Sequence, residues 1–538
     1  MRSLPSLPAL VLLPALACGG SGDDSGKSDD TGQDTATPDA AACVGDTPGD
    51  AFQEGGSTGY YQVAQDFTVE TTAGSWNFAE NWDGCHSYVF EFYYSSSEYS
   101  DAIWSSDIGD LVDETTENAH YFFLSYTEDE GQRLGEIEDL ENDFELSLAM
   151  LSSEEAEQIR ERFHFVTDYG WDADWLSEMY AYHFSIDRFQ TIRPIGMLYD
   201  YMYGTYPVSY LAHETTYFDF EWDRQQWLDG VDWAEVDVYV DEDISDSSWS
   251  GTKVYSDVDL QGVDLSAYDT LYLDLTMDCY DSDADGNEDC PEWDREVNLY
   301  LCDADDPDSC SGEFGRWITA YARPGRWITD HSSLLALLQG QTQARFGFHT
   351  IDRYEVSLKL LLANSGQGAG APTSSTEAWG SLSLDENYND NREDLTFDVP
   401  ATATKVEFVT ILTGHGSATD TKNCAEFCNH EHHFSVNGGT AFTKEHTDAG
   451  TWSGCLERVN EGVVPNQWGS WPYGRAGWCP GHDVTPWTID ITDQVTAGGS
   501  NTLSYTVTVD GSAYVPVYSG SGDYYPTISM SSWVVYWE

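Results

Sequence analysis

Residues 279–295 read CYDSDADGNEDCPEWDR, a span holding two cysteines, seven carboxylates and one Arg. Its last four residues, Glu292-Trp293-Asp294-Arg295, lead into Val297-Asn298-Leu299-Tyr300-Leu301, whose apolar side chains alternate as on a strand. A loop stapled by Cys279 and Cys290 would hold Asp294 and Arg295 at the mouth of that strand. Outward from this span, the chain from about residue 231 consists of short alternating runs divided by Gly, Asp, Asn and Ser. Among them are VDVYV, LYLDL, WITAY, LKLLL, KVEFVTIL, LSYTVTV and a terminal SSWVVYW. Many strands with turn signals and few helices predict a mainly β chain of sandwiches, and the length suits two. The polar, Gly-rich run NSGQGAGAPTSS at 364–375 marks the break between them, giving sandwiches at 231–366 and 367–538.

Residues 46–230 have another texture. Ser87–Tyr93 and Ala119–Tyr126 read as strands, whereas Glu128–Phe163 carries spaced Leu and Ile among many Glu, as helices do, with an N-cap at Ser152 or Ser153. This is α/β material, expected to serve as an accessory or substrate-positioning domain. Its order is faintly similar to thioredoxin-like proteins, but Cys85 has no C-x-x-C partner, which leaves no redox pair.

Composition narrows the partners. With 22 Lys and Arg against 95 Asp and Glu, the formal charge of -73 repels nucleic acid and anionic membrane surfaces alike. The 40% hydrophobic and 14% aromatic content still supplies a core, so wholesale disorder is excluded. A salty external habitat is one explanation of the acidity. Residues 1–17 read as an export signal, with Arg2, an apolar centre from Leu10 to Leu13 and small residues before Cys18. Ala15-Leu16-Ala17-Cys18 is either an imperfect lipoprotein box or a plain cleavage site. Giving Cys18 to a lipid leaves an even ten of the 11 cysteines. These fall into near neighbours: Cys43 with Cys85, Cys279 with Cys290, Cys302 with Cys310, Cys424 with Cys428, and Cys455 with Cys479. Five disulfides suit an oxidising compartment. Residues 18–45 then read as a lipidated Cys and a flexible acidic linker, and the expected location is exported, anchored by lipid to the outer membrane or cell surface, or otherwise secreted.

A Cys, a short loop, C-x-E-W-D-R and a strand resemble the bacterial peptide-N-glycosidase F family, amidases that remove N-linked glycans from Asn. The resemblance extends to Arg316-Trp317-Ile318-Thr319 and Leu334–Gly340, to Gly414-His415-Gly416 before Asn423-Cys424-Ala425-Glu426-Phe427-Cys428, and to Gly474-Arg475-Ala476-Gly477-Trp478-Cys479-Pro480-Gly481. It covers about residues 235–538 and implies two adjacent eight-stranded antiparallel jelly rolls. It also implies Asp294 as the principal catalytic carboxylate, Glu426 as a second, and Arg295 and Arg475 in the substrate cleft, with Trp293, His415 and Trp478 as further substrate-binding residues. Where the family has Glu-Thr-Trp, this chain has His349-Thr350-Ile351, so His349 is expected to replace a catalytic Glu and to alter the pH response. The chemistry needs a nucleophilic water, a proton for the departing glycosylamine and compensation for charge on the carbonyl oxygen. Two carboxylates and two guanidiniums can supply these. The expected activity is conversion of glycosyl-Asn to Asp, on N-linked glycoproteins or glycopeptides, by a monomer that touches membrane only through its lipid. The alternative is a non-catalytic glycan-binding surface protein on the same scaffold.

Two metal patterns stand beside this reading, which itself requires no cofactor. Asp281, Asp283, Asp285, Asn287 and Glu292 have the spacing of a calcium loop, D-x-D-x-D-G with Glu at the twelfth position. Against a structural calcium, no helices flank the loop, Cys290 sits inside it, and acidic runs are often merely solvated. His430-x-His432-His433, with His415, could suggest copper, because H-x-H on a strand sets both rings on one face. The family's motifs cross this region without metal, and the structural reading of these histidines is preferred.

Overall fold

Period-two alternation becomes sheet faces throughout the C-terminal two thirds of the chain. The computed structural model describes residues 49–244, 251–279, 290–303, 309–366, 370–416, 420–518 and 525–538. Cys18, Cys43, the linker and calcium-loop positions Asp281, Asp283, Asp285 and Asn287 lie outside them.

Residues 49–230 form an α/β unit. Its strands are β1 (Thr68–Thr71), β2 (Gly74–Asn77), β3 (Ser87–Tyr93), β4 (Ala119–Ser125), β5 (Phe163–Tyr169), β6 (His183–Ile186) and β7 (Ile192–Pro194). They make one sheet in the order β2-β1-β5-β4-β3-β6-β7, parallel from β3 to β4 and β5 and antiparallel elsewhere. Helices Glu130–Leu148 and Ser153–Arg160 lie between β4 and β5, the second opened by a capping box of Ser152 and Glu155. Cys85 is disulfide-bonded.

The first jelly roll comprises β8 (Ala234–Ile244), β9 (Thr252–Asp259), β10 (Thr270–Asp278), β11 (Glu296–Cys302), β12 (Cys310–Ile318), β13 (Gly325–Asp330), β14 (Gln343–Thr350) and β15 (Tyr354–Ala363). The second comprises β16 (Ser374–Ser383), β17 (Leu395–Asp398), β18 (Lys405–His415), β19 (His430–Val436), β20 (Phe442–Glu445), β22 (Trp487–Asp490), β23 (Ser500–Val509) and β24 (Thr527–Trp537), with the two-residue β21 (His482–Asp483) between β20 and β22. The sheet orders are β13-β10-β15-β8 and β12-β11-β14-β9, then β16-β24-β18-β22 and β17-β23-β19-β20. Each roll therefore has the same double Greek-key order, all antiparallel, in which chain-distant strands pair. β21 adds itself to β12, so a strand of the second half extends a sheet of the first.

The two rolls share a wall. In β18 and β24 the alternation that sets one face in a core is overlaid by apolar residues on the other face. Val406, Phe408, Val534 and Tyr536 enter the core of the second roll, whereas Val409, Ile411, Trp533, Val535 and Trp537 join the core of the first. A strand buried on both faces carries apolar residues at odd and even positions alike, as Val406, Phe408, Val409 and Ile411 in KVEFVTIL and the end of SSWVVYW do. Of the strand WITAY only Trp317 and Ile318 are in β12; Thr319 bonds back to Arg295 and Tyr321 turns toward the site.

The α/β unit is joined to this pair by helix Leu211–Asp229. Its Tyr217 and Phe218 meet Ala320, Tyr321, Cys455, Val459, Val463, Val464, Trp471 and Cys479 in a small separate core. Beside it Glu214, fully buried, pairs with Arg323 at 2.7 Å and accepts from Asn466 at 3.0 Å. Both rolls and the helix thus converge on one point.

Candidate active site

Three disulfides each fix one segment of the site. Cys279–Cys290 closes the loop ahead of Trp293-Asp294-Arg295, Cys424–Cys428 closes the short helix Cys424–Phe427 that bears Glu426, and Cys455–Cys479 closes the long loop that bears Arg475. Cys302–Cys310 staples the turn between β11 and β12. The register of the Asp294 loop is set by Thr319, whose hydroxyl accepts from the Arg295 N–H at 2.8 Å and donates to the Trp293 carbonyl at 3.0 Å.

Arg475 stands at the centre with its side chain 1% exposed. Its Nη2 lies 3.4 Å from Asp294 Oδ2 and its Nε donates to Glu426 Oε1 at 3.3 Å. Nη1 donates to the Ser470 and Tyr473 carbonyls, and Nη2 also to the Ser470 hydroxyl. Its donors are thus taken up by the protein, and its flat faces are covered by Phe427 and Trp478. Arg475 is a buried clamp that sets two carboxylates. Trp478 is likewise buried at 5%, its indole N–H donating to the Gly414 carbonyl while its face stacks on His415.

Asp294 keeps a side chain 13% exposed, and burial pushes its carboxyl up to about 6 against the pull of Arg475 and of the Tyr321 hydroxyl. Tyr321, itself held far toward its neutral form by burial and by Asp294, stays a hydrogen-bond donor. Glu426, 18% exposed, also accepts from the Gly416 N–H at 3.1 Å.

A second polar cluster adjoins the first. Glu296, Asn298 and Tyr300 occupy the face of β11 away from the core, and Glu296 lies 2.9 Å from His415 Nε2 and 3.7 Å from Arg316. Burial raises the Glu296 carboxyl, but Arg316 and His415 outweigh it and hold it far below the usual carboxylate range. Arg316 in turn grips Glu313 through two nitrogens and reaches Thr413 and the Ser529 carbonyl of the second roll. His415 therefore belongs to an inter-roll charge network. His349 stands on β14 opposite Asn298, with Gly251 packed so close that a Cβ there would lie 2.5 Å from its Nε2. Arg295 pairs with Asp352 at 3.5 Å and lies over Trp293, whose ring is 53% exposed at the mouth. Glu292 is exposed beside it.

The residues that sequence reasoning missed here are Tyr321, Glu296 and Glu313. Three successive polar residues on the second face of β11 were the available signal for Glu296. Further out, Trp452, Trp468, Tyr201 and Tyr203 are exposed, with Tyr203 6.1 Å from Trp452 and Tyr201 6.1 Å from Tyr473. The α/β unit thus brings aromatic rings to the loop that carries Arg475.

The sequence has relatives of the kind its motifs imply. A family model described as peptide-N-glycosidase F, C terminal, matches residues 384–535, the roll that carries Glu426 and Arg475. The peptide-N(4)-(N-acetyl-beta-D-glucosaminyl)asparagine amidase F of Elizabethkingia miricola is 23% identical over 273 residues, 45% of this chain and 68% of that protein. Among solved structures, PNGase F, a glycosylasparaginase from Flavobacterium meningosepticum, aligns at 17% identity and TM-score 0.43 over 57% of this chain and 96% of its own. PNGF-II aligns at 16% identity and TM-score 0.42 over 57% and 65%. The chain is similar to the peptide-N-glycosidase F family. No helix among the described residues is long and apolar enough to cross a membrane.

Proposed function

From a sequence similar to peptide-N-glycosidase F, we propose that the protein is an amidase acting on glycosyl-Asn in N-linked glycoproteins or glycopeptides. The observation that carries this reading is the convergence of Asp294 and Glu426 on one buried guanidinium, Arg475, with the exposed ring of Trp293 adjoining Asp294 in the chain. A carboxyl poised near 6 can take a proton from water and return it within the same cycle. The ionised Asp294 removes a proton from water as its oxygen adds to the Asn Cγ. The Cγ–Nδ2 bond then breaks, and the proton passes to that nitrogen, leaving Asp and a glycosylamine. Glu426, fixed from one side by Arg475 and from the other by the Gly416 N–H, orients the water or the first sugar. Trp293 offers a face for a sugar ring, with Arg295 beside it.

The test is incubation with a denatured N-glycoprotein in water enriched in oxygen-18, with mass analysis of the peptides and Asp294→Asn run in parallel. Asn becoming labelled Asp at the glycosylation sites, absent in the variant, is expected. Intact glycopeptides at every pH, with glycan still bound, would overturn the amidase in favour of a lectin.

A further inference from the structure

Behind Glu426 and Arg475 lies a cluster the proposed reaction does not use. On β19, H-x-H spacing turns His430 and His432 inward, while His433 faces the other way and meets the hydroxyls of Thr443 and Thr508. β20 pairs with Glu431 opposite Glu445, so continuing that register brings His446 beside His430. His430, His432 and His446 are 0, 0 and 6% exposed, and a ligand nitrogen from each lies within 4.8 Å of the others. Neither His433 nor His415, the other members of the sequence pattern, takes part; His415 is bound to Glu296.

One of the three rings is already oriented by its partner. His430 Nε2 sits 2.6 Å from the Cys424 carbonyl and so carries the proton, leaving the lone pair on Nδ1. His432 Nδ1 sits 2.8 Å from the Tyr505 hydroxyl, which is 3.1 Å from that of Tyr388. The remaining nitrogens, His430 Nδ1, His432 Nε2 and His446 Nε2, are buried and have no hydrogen-bond partner among the described residues. Three buried ring nitrogens left without a partner this close together are unfavourable unless a group that bonds to them sits between them.

We propose that His430, His432 and His446 bind one divalent first-row cation, with Zn2+ the best match to three imidazoles and no sulfur ligand. Zn–N bonds of about 2.0–2.1 Å require the three nitrogens to draw together by about an ångström, within the reach of small χ adjustments. Hydrogen bonds from the far nitrogen to a carbonyl and a hydroxyl are the outer partners such ligands use. His446 also lines a cavity of about 480 Å³, in which Lys444, Arg458 and Arg475 face Glu445, Asp448, Glu457 and Glu461, giving an ion an entry path and room for a fourth ligand. The ion braces both segments of the site. His430 holds the carbonyl of Cys424, two residues before Glu426, and a Cβ on Gly477, two after Arg475, would lie 2.6 Å from the His446 ring.

The test needs no substrate and is independent of the amidase reading. The disulfide-intact protein is stripped with a strong chelator, titrated with Zn2+ in the presence of a weak one, and separately loaded with Co2+. One equivalent of Zn2+, a four-coordinate Co2+ absorption spectrum and a rise in melting midpoint are expected. His446→Gln should lose about tenfold or more in affinity, whereas His433→Ala should bind as the parent does. A folded parent that binds well below one equivalent, a six-coordinate Co2+ spectrum, or undiminished binding by His446→Gln overturns the site. Should His446→Gln fail to fold, parent stoichiometry and the Co2+ spectrum decide the matter alone.

Discussion

Asp294 is set where burial favours its acid form and Arg475 favours its base form, and burial prevails. Its carboxyl titrates near 6 in the folded protein, against about 3.9 when unfolded. Between those values the folded chain holds a proton the unfolded chain has released, so stability from this group is lost as pH rises through 6. Asp294→Asn, which mimics the protonated form, is therefore expected to raise stability at pH 8 by up to about 3 kcal/mol, with the gain gone by pH 4. Urea midpoints at the two pH values measure it. If the proposed amidase activity holds, kcat/KM of the parent protein for a glycopeptide should fall on the acid side with a midpoint near 6; an acid limb centred on the free-carboxylate value would remove Asp294 as the base. The motif residues could be found in the sequence because their chemistry is concentrated in short runs such as EWDR and CAEFC. Tyr321 and His446 could not, because each reaches its cluster only through a loop turn or strand register that no local spacing encodes.

At the scale of elements, loops rather than strands carry the chemistry, and disulfides give those loops their shape. Cys455–Cys479 spans 24 residues and anchors Arg475 four residues before its second cysteine. Replacing both cysteines by Ala should cost about 3 kcal/mol from loop entropy. Because the same loop sets the guanidinium that aligns both carboxylates, kcat should fall with it, by more than any change in KM. Thermal unfolding and glycopeptide kinetics on the double variant measure the two effects. The near-neighbour cysteine pairs were readable from spacing in the C-terminal half. Double burial of β18 and β24 was visible only as apolar residues at both odd and even positions, which do not reveal what lies on the second face.

Across the whole molecule, the α/β unit is a buttress for the site. Glu214→Ala would leave Arg323, 14% exposed, without its carboxylate in the junction of all three parts. A loss of about 3–5 kcal/mol is expected, read as a shift in the denaturant midpoint, with Glu214→Gln milder because it can still accept from Asn466. A net charge of -73 acts over the same scale by self-repulsion, which mobile ions screen. The melting temperature should climb from low to molar salt, and a flat response would show that the acidic groups lie too far apart to matter. The α/β texture of the first part was legible from its helical spacing, but its union with both rolls was not, since Glu214, Arg323 and Asn466 meet across gaps of 109 and 252 positions.

The shared wall bears on the order of events during synthesis. β24 is the last of the described strands to leave the ribosome, yet it lies between β16 and β18 in the middle of its sheet and lends Trp533, Val535 and Trp537 to the neighbouring roll. Neither roll can complete its core until those residues arrive. A nascent chain arrested just short of β24 should therefore remain open to protease through both rolls.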